Sequence, residues 1–180
     1  MGPLAAFAAR LREAYGAAPD PDPANAGVDA RLLVLLETPG PRVLETGFVS
    51  QDNPSATGAN LRRFLAEAGV RRRTMFLWNA VPWVIHAPGA RNRAPRPAEV
   101  REGLALLPGL LALLPHLRAA VLLGRVAREA EPVIAANRPG LPVWRASHPS
   151  PVICCTDPEH PRGIIKALSH AAERAGPPRV

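Results

Sequence analysis

The sequence predicts an α/β protein: a single domain in three layers, α/β/α, around a central, mostly parallel sheet of four strands. Three observations predict it. The chain has 180 residues, one domain's worth and enough for a full core. Four runs of strand length recur along the chain, and Arg31 to Leu36 is continuously apolar rather than alternating, the mark of a strand buried on both faces. Helically patterned segments separate these runs, and strands joined by helices pair in parallel. No internal repeat and no second domain are visible. Residues 1–30 read as a helix-and-loop extension packed on the core, and residues 31–175 as the domain itself.

In order, residues 1–15 form a short helix with Leu4, Phe7, Ala8 and Leu11 at helical spacing. Pro19, Pro21 and Pro23 make 17–26 a loop. Arg31 to Leu36 is the first strand, ending in the sharp loop Glu37-Thr-Pro-Gly-Pro41. Residues 58–68 form a helix with Leu61, Phe64, Leu65 and Ala68 on one face, capped by Ser55 or Thr57. Thr74 to Trp78 is the second strand, followed by Asn79, and 87–96 is a Pro/Gly/Arg loop. Pro97 opens a helix to Leu114 with Glu99 and Glu102 in its first turns, and Pro108 should kink or split it. Ala119 to Leu123 is the third strand. Gly124 turns it into a helix running through Val126, Ala127, Ala130 and Val133. Leu141 to Ala146 is the fourth strand, ending in Ser147-His-Pro-Ser-Pro151, and His160 to Arg174 is the last helix.

Composition narrows the class. The longest apolar stretch, Gly103 to Pro115, is too short to span a bilayer and carries two prolines. The first residues lack the order of a signal peptide. Cys154 and Cys155 are adjacent and provide neither a disulfide framework nor a tetrahedral metal site. These features predict a cytoplasmic protein with no membrane partner. The net charge is +7, and of 22 basic residues only Lys166 is lysine. A positive balance attracts polyanions, although so arginine-rich a chain also fits genomic base-composition bias or plain solvated surface.

In parallel sheets ligands bind beyond the carboxyl ends of the strands. Three strands end here in polar loops, which would bring Glu37, Asn79 and His148 to one edge of the sheet.

Together these residues resemble the uracil-DNA glycosylase superfamily, particularly its family 4 and family 5 branches, from about Leu32 to Ala172. Glu37-Thr-Pro-Gly40, followed by Gly47-Phe48-Val49, resembles the first motif. Asn79 resembles the strand-ending asparagine, and Gly89 to Glu99 the Arg/Pro loop before a helix. Leu122 to Ala127 resembles the next strand-to-helix turn, and His148-Pro-Ser-Pro151 the last motif.

The resemblance implies a monofunctional DNA glycosylase of base excision repair that everts uracil and hydrolyses its glycosidic bond, leaving an abasic site. Asn79 would read the base edge; its alternative is to close a turn before Pro82. Phe48 would stack under the flipped ring, or else belong to the core. His148 would donate to uracil O2 as a neutral imidazole of the right tautomer. Glu37 would activate water, with Thr38 and Gly40 beside it lining the substrate. Asp52 is the rival carboxylate, or a turn residue before Pro54. Val152 and Ile153 would enter the DNA stack, or begin core packing. Ser147, Ser150, Arg91, Arg93, Arg96 and Arg145 are candidates for DNA phosphates, as are backbone amides after Gly124.

The chain also departs from the family. Family 4 carries four cysteines for an iron–sulfur cluster, and this chain has only the late pair, so no metal and no cofactor are expected. Gly40 stands where uracil-specific branches carry a bulky residue that blocks thymine, so hypoxanthine, xanthine or mismatched thymine remain open as substrates. Thr38 replaces the usual Asp or Asn and favours a second reading, a catalytically silent DNA-binding or damage-recognition module. A small-substrate hydrolase using Cys154 or Ser150 lacks a nucleophile elbow. The expected partner is uracil-containing DNA, single- or double-stranded, met by a monomer.

Overall fold

A strand that is apolar on both faces needs a helical layer on each side. A computed structural model, describing residues 2–87, 89–90 and 92–178, meets that need as follows. In chain order it has α1 (Pro3–Tyr15), β1 (Asp20–Pro21), β2 (Leu32–Leu36), α2 (Val43–Thr46), β3 (Phe48–Val49), α3 (Ala56–Glu67) and β4 (Met75–Asn79). Then come α4 (Pro97–Ala112), β5 (Ala119–Leu123), α5 (Arg125–Arg128), α6 (Glu131–Asn137), β6 (Val143–Ala146), α7 (Pro151–Cys154) and α8 (Glu159–Ala175). The four long strands form one parallel sheet in the order β4-β2-β5-β6. Leu36 pairs with Asn79 and Leu35 with Leu122, so the carboxyl ends of β2, β4 and β5 are level. Leu32 to Leu35, Phe76, Leu77 and Ala119 to Leu123 are buried. Helix α8 packs on β5 and β6 and against α3, while α4 packs with α6.

The two prolines within expected helices behave differently. Pro108 lies inside α4, which runs unbroken to Ala112. An interior proline costs about 3 kcal/mol. Leu107, Leu110 and Leu111 of the same helix are buried, and each such side chain returns about 1.5–3 kcal/mol, so packing wins. The helix expected from Gly124 to Val133 is instead divided, ending at Arg128 and restarting at Glu131. Pro132 is the reason: its ring excludes the carbonyl four residues back, that of Arg128, and only one turn precedes it.

Structure also forms within the expected loop 17–26 and in segments assigned neither helix nor strand. β1 and β3 pair in parallel, Asp20 with Phe48 and Pro21 with Val49, and short helices form at α2 and α7. Helix α1 buries Leu4, Phe7 and Leu11, and Tyr15 stacks on Trp83 at 3.9 Å. Among the described residues no helix is long and apolar enough to cross a membrane.

Candidate active site

The site forms where the chain leaves the level strand ends. From β2 it moves outward to β4, and from β5 the other way to β6, so β2 and β5 flank the topological switch point of the sheet. Backbone pairing continues past the strands: Ala80 N–H donates to the Leu36 carbonyl at 2.9 Å and Val81 N–H to that of Glu37 at 3.0 Å. Behind Asn79, Gly103 of α4 lies so close that a Cβ there would stand 2.2 Å from the Ala80 carbonyl oxygen.

Glu37 reaches across the switch point to the exit of β5. Its Oε1 accepts the Val126 N–H at 3.0 Å. Gly124 has φ +107, and a Cβ there would come within 2.4 Å of that oxygen. The carboxylate therefore occupies space that only a glycine leaves free.

Asn79 ends β4 with 4% exposure, and its side-chain amide makes no hydrogen bond among the described residues. The amide is thus free to hydrogen-bond with whatever occupies the cavity that Asn79 lines. His148 follows β6, and its Nδ1 accepts the Ser150 N–H at 3.2 Å. In the neutral ring that leaves the proton on Nε2. Burial lowers the imidazole pKa, against the opposing pull of the Glu37 carboxylate. The turn is fastened from α3, where Asn60 Nδ2 donates to the Pro149 carbonyl at 3.0 Å.

Glu37, Asn79 and His148 all face one cavity of about 640 Å³, whose wall includes Thr38, Gly40 and Ser150. That volume suits a small organic ligand. Asn92 Nδ2 donates to Thr38 Oγ1 at 3.1 Å, and both residues line the cavity. A Cβ at Gly40 would meet nothing within 4 Å.

Other expected residues lie elsewhere. Phe48 is 36% exposed and does not line the cavity; Val49, beside it in β3, is buried and does. Asp52 is also outside the lining, with its carboxylate 2.5 Å from Arg72 and 3.7 Å from Arg62. Arg93 lines the cavity, but its guanidinium is tied to both oxygens of Glu99 at 2.5 and 2.8 Å. That contact, against the opposing effect of desolvation, brings the Glu99 pKa down to about 2. Arg91 lies outside the described residues. Arg145 is paired with Glu131. Ser147 Oγ lies 2.7 Å from His160 Nδ1, on a neighbouring concavity that Ile153 also lines. Val152 stands 77% exposed at the cavity rim, in helix α7 rather than in an extended loop. Val49 and Asn92 lie in segments that the sequence reading quoted without giving either residue a role, and Asn60 escaped it because no motif marks it.

Among the described residues no three His, Cys, Asp or Glu side chains gather as a metal ligand set. Burial pushes the Cys154 thiol above its usual value, which suits a buried apolar residue better than a nucleophile.

The model of the Uracil DNA glycosylase superfamily matches residues 23–171. The chain belongs to that superfamily. The match spans every strand of the main sheet and all three groups at the cavity. Superfamily membership supports DNA as the partner and glycosidic-bond cleavage as the general chemistry. Among solved structures, the chain is similar to the solution NMR structure of a candidate uracil DNA glycosylase from Methanosarcina acetivorans, at 14% identity and TM-score 0.47. The similarity covers 80% of this chain and 92% of that one. No curated protein matches.

Proposed function

We propose that the protein is a monofunctional uracil-DNA glycosylase, working as a monomer without metal or cofactor on DNA that has lost an amino group from cytosine. The observation that carries this reading is a carboxylate, the unpartnered amide of a buried asparagine and an imidazole whose Nδ1 accepts a backbone N–H, all facing one cavity from the ends of separate strands. An everted uracil would place O4 on the Asn79 amide N–H and N3–H on its carbonyl oxygen. Cytosine reverses both groups and would leave buried polar atoms unpaired. His148 Nε2–H would donate to O2 as charge gathers there. Glu37 would orient a water at C1′. The C1′–N1 bond breaks with its electron pair leaving on the base, the water oxygen bonds C1′, and the water proton passes to the carboxylate and then solvent. Lys166, the only lysine, lies in α8, which favours hydrolysis over a Schiff-base lyase.

The silent-module reading draws support from Thr38, whose hydroxyl already takes the Asn92 amide. A labelled oligonucleotide with one uracil, incubated with the protein in EDTA and then treated with alkali, separates the two: strand breakage is expected, and binding without breakage overturns the proposal. Glu37→Gln should reduce the rate at least a hundredfold, while Asp52→Asn should stay within a few fold of wild type. The reverse ranking would transfer the water-activating role to Asp52.

A further inference from the structure

We infer that Asn60 is a positioning residue for His148: its side-chain amide, reaching from α3 to the Pro149 carbonyl, fixes the turn that presents the imidazole to the base cavity. The inference rests on reading that cavity as the base site, with His148 as the donor to the departing base.

The turn has few holds of its own. Pairing of β6 with β5 ends at Ala146, opposite Leu123, and Ser147 meets His160 of α8. Beyond that point Pro149 has no N–H to give, and the Ser150 N–H is spent on the His148 ring at 3.2 Å. The Ser150 carbonyl accepts the N–H groups of Ile153 at 3.1 Å and Cys154 at 2.9 Å. The His148 carbonyl meets only the Cys154 thiol, at 3.9 Å, and a thiol is a weak donor. Helix α7, which follows, is a single turn of four residues, none of them buried. These contacts are local to the turn and to α7. Among the described residues, the hydrogen bond that ties 148–150 to a distant part of the chain runs from Asn60 Nδ2 to the Pro149 carbonyl, 3.0 Å long and 89 residues apart in sequence.

Helix α3 is the fixed side of that bond. It buries Leu61, Phe64 and Leu65, and Ser55 Oγ caps it by accepting the Gly58 N–H at 3.0 Å. Thr57, Gly58 and Leu61 of the same helix line the base cavity, so Asn60 places the imidazole relative to the wall against which the base would lie. Loss of its amide leaves α3 in place and releases the turn. A displacement of about 1 Å at a reacting group can cost on the order of a hundredfold in rate. The loss falls on kcat rather than KM, because the charge that His148 meets gathers on the base only as the glycosidic bond breaks.

The test uses Asn60→Leu, which keeps the size, removes the donor and favours the helix, and Asn60→Gln, which keeps the donor. Hydrogen exchange of the Ser150 amide, followed by NMR on the free protein, reads the turn without any reaction. Asn60→Leu should exchange at least about tenfold faster than wild type, and Asn60→Gln should recover most of that protection. Ala66→Gly, which weakens α3 at an exposed position, should leave it unchanged. Single-turnover excision of uracil reads the chemistry. Asn60→Leu should lose about tenfold in maximal rate, with the half-saturating concentration within about threefold of wild type. In a His148→Ala background the same substitution should cost less than about twofold, because its effect passes through the imidazole. A Ser150 amide unprotected in wild type, or one that Asn60→Leu accelerates no more than Ala66→Gly does, overturns the inference. So does an excision rate that Asn60→Leu leaves unchanged, or a full loss that persists without His148. A wild type that releases no uracil removes the proposed function, and the exchange comparison then decides by itself whether Asn60 holds the turn.

Discussion

At the scale of one residue, the proposed function makes Asn79 the position where burial would become selectivity. The residue is 4% exposed, and its amide has no protein partner among the described residues. A base that satisfies both its donor and its acceptor gains, and one that satisfies neither leaves several polar atoms stranded. Asn79→Asp replaces the donor with a second acceptor, so discrimination against cytosine should fall by at least tenfold in competition between uracil- and cytosine-containing oligonucleotides. Unchanged selectivity would take Asn79 out of base reading. His148 adds a pH dependence whose sign follows from burial. Its folded pKa lies below the ordinary value of about 6.5, so the neutral, donating form persists through neutrality. Excision should be flat near pH 7 and fall as pH drops through that lowered value, with His148→Gln losing this acid limb. A limb centred above pH 6.5 in wild type would contradict the assignment. The same neutral form is favoured by folding, so its stabilising effect is present above about pH 6.5 and fades on acidification.

At the scale of elements, the turn from β5 into α5 positions the Glu37 carboxylate, the group proposed to orient water. Gly124 provides a φ that side chains resist, and it leaves room for the Glu37 carboxylate against the Val126 N–H. Gly124→Ala brings both penalties at once, with strain of about 1–3 kcal/mol. For a chain of this size that corresponds to a melting temperature lower by roughly 2–10 °C. The rate of excision should fall more than tenfold and by a larger factor than affinity for an abasic-analogue oligonucleotide, because the Glu37 carboxylate is displaced directly. Equal losses in rate and affinity would indicate general collapse of the turn. The contrast between Pro108 and Pro132 belongs to this scale too. One is overridden by the leucines around it, and the other ends a helix too short to resist.

For the whole molecule, the N-terminal segment and the cavity wall are joined by charge. Asp22, 7% exposed, accepts from Ser50 Oγ at 2.5 Å, from the Ala24 N–H at 2.8 Å and from Arg72, which also binds Asp52. Burial works to raise its pKa, but these donors together hold it below the ordinary value. The network thus holds β1 to the segment carrying Val49 and Ser50 into the cavity. A lowered carboxylate stabilises the fold above its unfolded pKa of about 3.9, and that contribution is lost as pH falls through the folded value. Asp22→Asn should cost about 1.5–3 kcal/mol at pH 7 and flatten the loss of urea stability between pH 4 and pH 2. A variant as stable as wild type at pH 7 would show that the network contributes nothing net.

Much of this protein was legible in its residues. Uninterrupted apolar runs separated by helical spacing specify buried parallel strands, since burial on two faces leaves no room for polar alternation. Polar residues just past such runs, Glu37, Asn79 and His148, were recognisable as site candidates by position alone. What the chain did not disclose were the partners each group meets. That Val49 rather than Phe48 lines the cavity depends on which face of a two-residue strand turns inward, and that Arg93 is neutralised depends on which carboxylate folds beside it. Periodicity is a local property carried by neighbours along the chain. Pairing of charges and the lining of a cavity are set by residues far apart in sequence, and those meet only when the sheet order β4-β2-β5-β6 has formed.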